Sequence, residues 1–512
     1  MNQMVDIFAK DDDFFAPASN DMIDGLMASY RLSKQRIEKV AEFFTEDMAE
    51  AANFFINGNN IEMRYHKIAE AFKIEGALKA LNAHYWGQAL NMTDVLQVMP
   101  QKRRDEWSEL IRKNETPEFE ESSVRATIED LLASRHKFFA EKVDGIFRSL
   151  SHEHVTNCPQ GFNKRMILGG VTEGHYYTSS TQCGHINDLR AVVAKFMGRD
   201  EPRWNSTHSL IAAARRNTGQ WMLVDGGSMR IRVYLKGTAH LEIHPDIAWR
   251  LNQILAHLYP LAIPAEHRSP PKKKHKEFQM MNKPLPFSVL SALAEMRHNT
   301  LTGCYEMGYG IDKAVKDQLE KVLRYIGGTK NQNGTFEFYY TVRPVIDEII
   351  TSGCIPDHVS HQYYPTPELV AEEAIETADI QSGELCLEPS AGQGGLADFM
   401  PKDQTICVEL NPLHCKILEA KGHTVINCDF LQYHAEPFDK IIMNPPYSEG
   451  RWQAHLQHAA SMLKTGGSLV AVLPASAKNK DILPNMICSW SRVFDNEFAG
   501  TSVSVVILKA VK

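Results

Sequence analysis

The tetrapeptide Asn444-Pro445-Pro446-Tyr447 joins residue types with complementary abilities. An asparagine side chain offers a carbonyl acceptor, and Pro445 offers a backbone carbonyl whose direction is limited by its ring. Two such acceptors can hold both hydrogens of an exocyclic amine. An aromatic amine is a poor nucleophile because its lone pair is delocalised. Holding both N–H bonds localises that pair toward an electrophile, so positioning and electrostatics can suffice without a strong general base. Tyr447 adds a ring face on which a flat base can stack. A Pro-Pro pair also simply ends a strand, but that plain reading leaves the flanking Asn and Tyr unexplained.

Three acids upstream have a related logic. Glu388 opens the run Glu388-Pro389-Ser390-Ala391-Gly392-Gln393-Gly394-Gly395, whose glycines let backbone approach a ligand closely. The loop has neither the GxGxxG register of a dinucleotide fold nor the Lys-Ser/Thr of a P-loop. Its acid would repel a pyrophosphate but tolerate a cofactor with a positive centre. Glu409 stands where an acid can accept both ribose hydroxyl hydrogens. Asp429, followed by Phe430, pairs an acceptor for an adenine amine with a ring to cover the base. Singly, each acid reads as a surface residue at a strand end. Together, behind one Gly-rich loop, they point to a nucleoside cofactor.

The elements that must position these residues alternate. Strand-like runs are LCLEPS (385–390), TICVEL (405–410), TVINCD (424–429), KIIMNPP (440–446) and SLVAVLP (468–474), with helix-compatible stretches between them. This predicts a doubly wound, mostly parallel α/β sheet of Rossmann-like type, whose ligands bind at the carboxyl ends of the strands. Every motif above falls at such an end. Two further strands, near 491–498 and 502–510, predict a terminal antiparallel hairpin turning at Ala499-Gly500-Thr501.

In this order, PTP (365–367), EPSAGQGG, VEL (408–410), CDF (428–430) and NPPY resemble the motifs of S-adenosylmethionine-dependent DNA adenine-N6 methyltransferases. The resemblance covers residues 362–512. It implies that Pro365, Thr366 and Pro367, with Glu388, Ser390, Ala391, Gly392 and Gly394, lie along the methionine part of S-adenosyl-L-methionine. It further implies Glu409 at the ribose, Asp429 and Phe430 at the adenine, and Asn444, Pro445, Pro446 and Tyr447 as the catalytic set. The target base would be flipped out of double-stranded DNA. NPPY also occurs in methyltransferases of ribosomal RNA guanine and of protein glutamine; the upstream PTP element favours the DNA enzymes. A protein that binds the cofactor and nucleic acid without catalysis is a third reading, and the intact NPPY opposes it. The usual target-recognition domain after the catalytic one is not seen here, so recognition is expected from residues 1–360, from a partner, or to be minimal.

The remaining sequence divides by texture. The chain has 512 residues, a formal net charge of −8 and 43% hydrophobic residues, which excludes a disordered or collagen-like protein and a strongly basic one. No run reaches the roughly 18 to 20 apolar residues of a membrane span, and an acidic cluster at Asp11, Asp12 and Asp13 stands where a signal peptide needs basic then apolar residues. A protein of the cytoplasm with no membrane segment is expected. The nine cysteines contain no CxxC pair, and Cys183 with His185 is too slight for a metal site.

Residues 1–260 are expected to be mainly helical, then α+β. Ser33 is placed to cap a helix through KQRIEKVAEFF, and a second helical pattern runs from about 121 to 150. Strands are expected at 221–224 and 230–235, a turn at Lys236-Gly237-Thr238, and a helix opened by Pro245. Residues 261–285 read as a Pro/Lys-rich linker, in which Lys272, Lys273, Lys274 and Lys276 are solvated or touch DNA phosphates. Residues 286–358 read as a small α+β module of helix, Gly-Gly turn, FEFYYTV strand and helix. Within it, residues 313–356 resemble a module placed before adenine methyltransferases in phages and mobile elements, and residues 1–260 are similar to an uncharacterised domain upstream of such enzymes. These resemblances imply a prokaryotic or phage origin. Residues 359–512 form the methyltransferase domain.

Overall fold

The computed structural model describes residues 20–44, 72–93, 95–150, 160–162, 165–173, 177–271, 284–356, 365–447, 450–478, 480–498 and 503–512, with isolated residues 48, 51, 52, 54 and 157. The chain forms two compact units. One comprises residues 1–207, 218–221 and 228–280, and the other residues 208–217, 222–227 and 281–512.

In the first unit, amphipathic helices Asn20–Phe43, Ile74–Asn91, Gln101–Lys113, Glu121–Ala133 and Arg135–Ser149 close around Trp86, Leu90, Phe119, Val124 and Phe138. Trp86 is fully buried, and its indole N–H donates to the Pro117 carbonyl at 2.9 Å, as a buried indole requires. Two expectations are corrected here. Ser33 lies in the middle of the first helix, because the apolar series begins earlier, at Ile23, Leu26, Met27 and Tyr30. Its hydroxyl bonds the Tyr85 hydroxyl at 3.0 Å instead of capping. The 121–150 pattern is two helices broken at Ser134. There the Arg135 guanidinium donates to the Leu132 carbonyl at 3.2 Å, satisfying a group that the interrupted ladder leaves open.

The α+β portion follows as expected. Strands Met229–Val233 and Arg165–Leu168 flank Ala239–Ile243, all antiparallel. Met229, Ile231 and Val233 are buried while Arg230 and Arg232 are not, the period of two of a one-sided strand. Gly237 turns the chain at φ +83°, and a Cβ there would lie 2.2 Å from the Thr172 carbonyl oxygen. Pro245 opens helix Pro245–Leu258, with the His244 side chain accepting from the Asp246 amide.

From residue 281 onward the second unit first forms three helices, Phe287–Ala294, Lys313–Tyr325 and Arg343–Ser352, with a sheet of four two-residue strands. The expected FEFYYTV strand shrinks to Phe336–Glu337. Packing overrides strand propensity here: Phe338 turns edge-on to Tyr305, and the Tyr340 hydroxyl donates to the Ile326 carbonyl. Gly328 allows this, since a Cβ there would meet both the Leu323 oxygen and the Phe338 ring at 2.8 Å.

The rest of this unit is a seven-stranded sheet. Its strands are β1 (Cys386–Pro389), β2 (Thr405–Glu409), β3 (Thr424–Asn427), β4 (Phe438–Met443), β5 (Leu463–Pro474), β6 (Ile487–Phe494) and β7 (Val505–Val511). The order is β3-β2-β1-β4-β5-β7-β6, with β1 to β5 parallel and β7 antiparallel to both its neighbours. The flanking helices are α1 (Glu368–Ala378), α2 (Pro412–Ala420) and α3 (Arg451–Ser461). Neighbouring strand residues serve opposite layers. Leu387, Ile441, Leu469 and Leu508 pack with Trp452 and Leu456 of α3. Cys386, Ile442, Val470 and Ile507 pack with Val370, Ala371 and Ala374 of α1. Near-continuous apolar strands are what a two-sided sheet demands. The expected Rossmann-like domain with its terminal antiparallel pair is thus present. The connection predicted at 499–501 lies outside the described residues. No helix among the described residues is long and apolar enough to cross a membrane.

Candidate active site

β1 pairs with β2 on one side and β4 on the other, so the chain direction of the connections reverses at β1 and β4. In an open α/β sheet a crevice opens there, beyond the carboxyl ends of the strands. A cavity of about 770 Å³ occupies that position, a size ordinary for a small-molecule site.

Glu388 lines it from β1 and is 3% exposed. Its Oε2 is buried without a hydrogen-bond partner. Burial holds its carboxyl well above the ordinary range, and the carboxylates of Asp398 and Glu409 push the same way. Because Glu388 borders the cavity, a cationic group bound there would offset the cost of ionising its carboxyl.

The loop after β1 is shaped by close contacts. Ser390 has φ +61° although it is not glycine, and its hydroxyl meets His455 Nδ1 of α3 at 3.2 Å. Gly395 passes so near the 365–367 segment that an added Cβ would stand 3.2 Å from the Thr366 nitrogen. Ser390, Ala391 and Gly392 line the cavity; Gly394 does not, and stands behind at φ +92°. Pro365 and Thr366 line it as well, whereas Pro367 serves as the N-terminal flank of α1.

Glu409 ends β2 with both carboxylate oxygens engaged by backbone. Oε2 accepts from the Gly392 amide at 2.8 Å and Oε1 from the Asn411 amide at 2.7 Å. Asp429 follows β3, and its Oδ1 accepts from the Leu431 amide at 3.0 Å. Phe430 beside it is 2% exposed and lies against the rings of His455 and His458.

Asn444 follows β4 directly, and Pro445, Pro446 and Tyr447 line the same cavity. The Asn444 amide is held from both ends. Its Nδ2 donates to Thr366 Oγ1 at 3.1 Å, and its Oδ1 accepts from the Tyr447 hydroxyl at 2.9 Å. One N–H and one lone pair of the carboxamide stay available. The Tyr447 ring packs against the cores on both sheet faces, and burial raises its phenol pKa.

All four NPPY residues and all three acids therefore surround one cavity. Lys272, Lys273, Lys274 and Lys276 lie outside the described residues. The sequence reading missed Arg451, His455 and His414, which also line the cavity. Arg451 and His455 are one helical turn apart just after NPPY, and that spacing was the available signal.

Residues 403–498 match the Methyltransferase small domain family, and residues 78–261 match a domain of unknown function, DUF4942. No curated protein matches the chain. Among solved structures, a dimethyladenosine transferase from Plasmodium falciparum is similar at 15% identity, covering 29% of this chain and 63% of that one, with a TM-score of 0.25. The 23S rRNA methyltransferase ErmE gives 18%, 29%, 70% and 0.24 for the same quantities. A precorrin-6y C5,15-methyltransferase from Geobacter metallireducens gives 16%, 28%, 89% and 0.23.

The C-terminal domain is a Rossmann-like methyltransferase domain, and the protein is an enzyme that transfers methyl groups. Its cofactor is S-adenosylmethionine. The residues present fit that cofactor, since three acids, Glu388, Glu409 and Asp429, line the cavity and suit a cationic, hydroxyl-bearing ligand.

Proposed function

We propose that the protein methylates the N6 amine of adenine in double-stranded DNA, with the base flipped out of the duplex into the cavity. The observation that carries this reading is the two-ended hold on Asn444. A carboxamide locked between Thr366 and Tyr447 presents a fixed acceptor beside the buried Pro445. Asn444 and Pro445 hold the two amine hydrogens, leaving the lone pair of the amine directed into the cavity. Tyr447 keeps the Asn444 carbonyl from rotating. Glu388, Glu409 and Asp429 with Phe430 hold the cofactor's cationic, ribose and adenine parts in turn. The cofactor supplies an electrophilic methyl group on a positively charged sulfur. Unstacking the base costs a few kcal/mol, offset by its contacts in the pocket.

The test supplies radiolabelled S-adenosylmethionine with duplex DNA, with RNA and with ribosomes. Wild type is expected to label DNA as N6-methyladenine. Asn444→Ala is expected to lose roughly 100-fold or more in transfer while binding the cofactor normally. Label confined to RNA or protein, or full activity in the variant, would overturn the proposal.

A further inference from the structure

The small module at residues 286–356 touches the methyltransferase domain close to the cofactor cavity. Its helix Lys313–Tyr325 ends in Tyr325, whose hydroxyl lies 2.7 Å from His414 Nε2. The two rings are nearly parallel, at 27° with centroids 6.1 Å apart. His414 is 2% exposed, sits in the first turn of α2 and lines the cavity. Its other ring nitrogen, Nδ1, stands 3.8 Å from Glu409 Oε1. A chain thus runs from the module through one imidazole to the acid assigned to ribose.

The chemistry of the chain fixes its direction. A neutral imidazole has one N–H and one bare nitrogen, and the partner of one decides the other. Were Nε2 to donate to Tyr325, bare Nδ1 would turn its lone pair toward the Glu409 carboxylate, an unfavourable arrangement. With Tyr325 donating to Nε2, Nδ1 carries the proton and faces the carboxylate favourably. In the neutral ring the Tyr325 hydroxyl thereby favours the tautomer that turns Nδ1–H toward Glu409, an electrostatic contact at 3.8 Å added to the two backbone hydrogen bonds on that carboxylate.

A second tyrosine of the module reaches Asp398, just beyond the Gly-rich loop, and is linked to that loop through Lys421. The Tyr339 hydroxyl donates to Asp398 Oδ2 at 3.3 Å. Lys421 donates to the same oxygen and to the Gln393 carbonyl, both at 2.6 Å, with its ammonium 5.1 Å from the Tyr339 ring centroid. The module braces both the loop and the ribose acid.

We infer that Tyr325 is a positioning residue for the cofactor: acting through His414, it fixes the imidazole proton toward Glu409 and so holds that carboxylate ready for the ribose hydroxyls. This rests on the assignment of Glu409 to ribose. It makes residues 286–356 part of the cofactor site and not only a neighbour of it.

The test is calorimetric binding of S-adenosylhomocysteine to the full chain, which needs no nucleic acid. Tyr325→Phe keeps the ring and removes the hydroxyl. Its Kd is expected to rise about 3- to 10-fold, with kcat at saturating cofactor unchanged. In a Glu409→Gln background the same substitution is expected to cost less than about twofold, because the partner carboxylate is gone. An unchanged Kd in Tyr325→Phe overturns the inference. So does an equal loss in both backgrounds, which would mark a merely structural contact; thermal melting of each variant identifies any fold defect. Absence of binding by wild type would overturn the cofactor site itself, an outcome distinct from a silent Tyr325→Phe.

Discussion

Tyr447→Phe isolates one bond in the tetrapeptide proposed to hold the target amine. The substitution removes the hydroxyl and leaves the ring, so packing against the two cores is retained. What is lost is the 2.9 Å hydrogen bond to Asn444 Oδ1. The nearby Val472 carbonyl, 3.3 Å from the same hydroxyl, loses at most a longer contact. A neutral hydrogen bond contributes about 0.5 to 1.5 kcal/mol net. If all of it acts on orienting Asn444, the methyl-transfer step slows about 2- to 12-fold. Single-turnover transfer to duplex DNA at saturating cofactor measures that step alone. Cofactor affinity should stay within about twofold, since the hydroxyl points at Asn444. The opposite anchor provides a cross-check: Thr366→Val removes the acceptor for Asn444 Nδ2. Because both anchors restrain one amide, the double variant should be non-additive. A Tyr447→Phe rate equal to wild type, together with additive effects in the cycle, would refute the two-ended hold.

Other outcomes follow from the same cavity. Glu388 has a folded-state pKa above its ordinary value near 4.5, chiefly through burial. The fold therefore keeps its proton where the unfolded chain has released it, so this residue's contribution to stability falls as pH rises from about 4.5 through the folded value. Glu388→Gln cannot ionise, and the cofactor-free variant should melt higher than wild type at neutral pH, with the two curves converging at acid pH; parallel curves would contradict the burial argument. The same variant should bind the cofactor more weakly. Gly395→Ala places a methyl 3.2 Å from the Thr366 nitrogen and should raise the cofactor Kd roughly fivefold or more by displacing the 365–367 segment, as titration calorimetry would register.

Much of the C-terminal domain was legible because its signals are local. Each parallel strand is a short apolar run, and each motif sits where a run ends. Glu388, Glu409 and Asn444 were found in this way, and they meet across one cavity. Contacts made at a distance leave no such trace. Tyr325 and His414 are 89 residues apart, and nothing near either predicts their bond. The Tyr447 hydroxyl was equally hidden: sequence shows a ring beside an asparagine, not which way the phenol points. Ser33 misled because a capping residue and an interior serine look alike when apolar positions continue on both sides. FEFYYTV misled because aromatic residues favour strands on average, while Phe338 and Tyr340 are claimed by partners in their own module.

β7 occupies an inner position of the sheet, with seven residue pairs to β5 on one side and six to β6 on the other. On the ribosome, residues 505–511 emerge after every strand they must join. Until they do, β5 presents an open hydrogen-bonding edge along an apolar run, and β6 has no sheet to attach to. The newborn domain therefore passes through a stage in which its longest strand is a template for any other extended chain. The cavity-lining loop after β4 lies one strand from that exposed edge, so folding of the cavity is tied to how quickly the edge is closed.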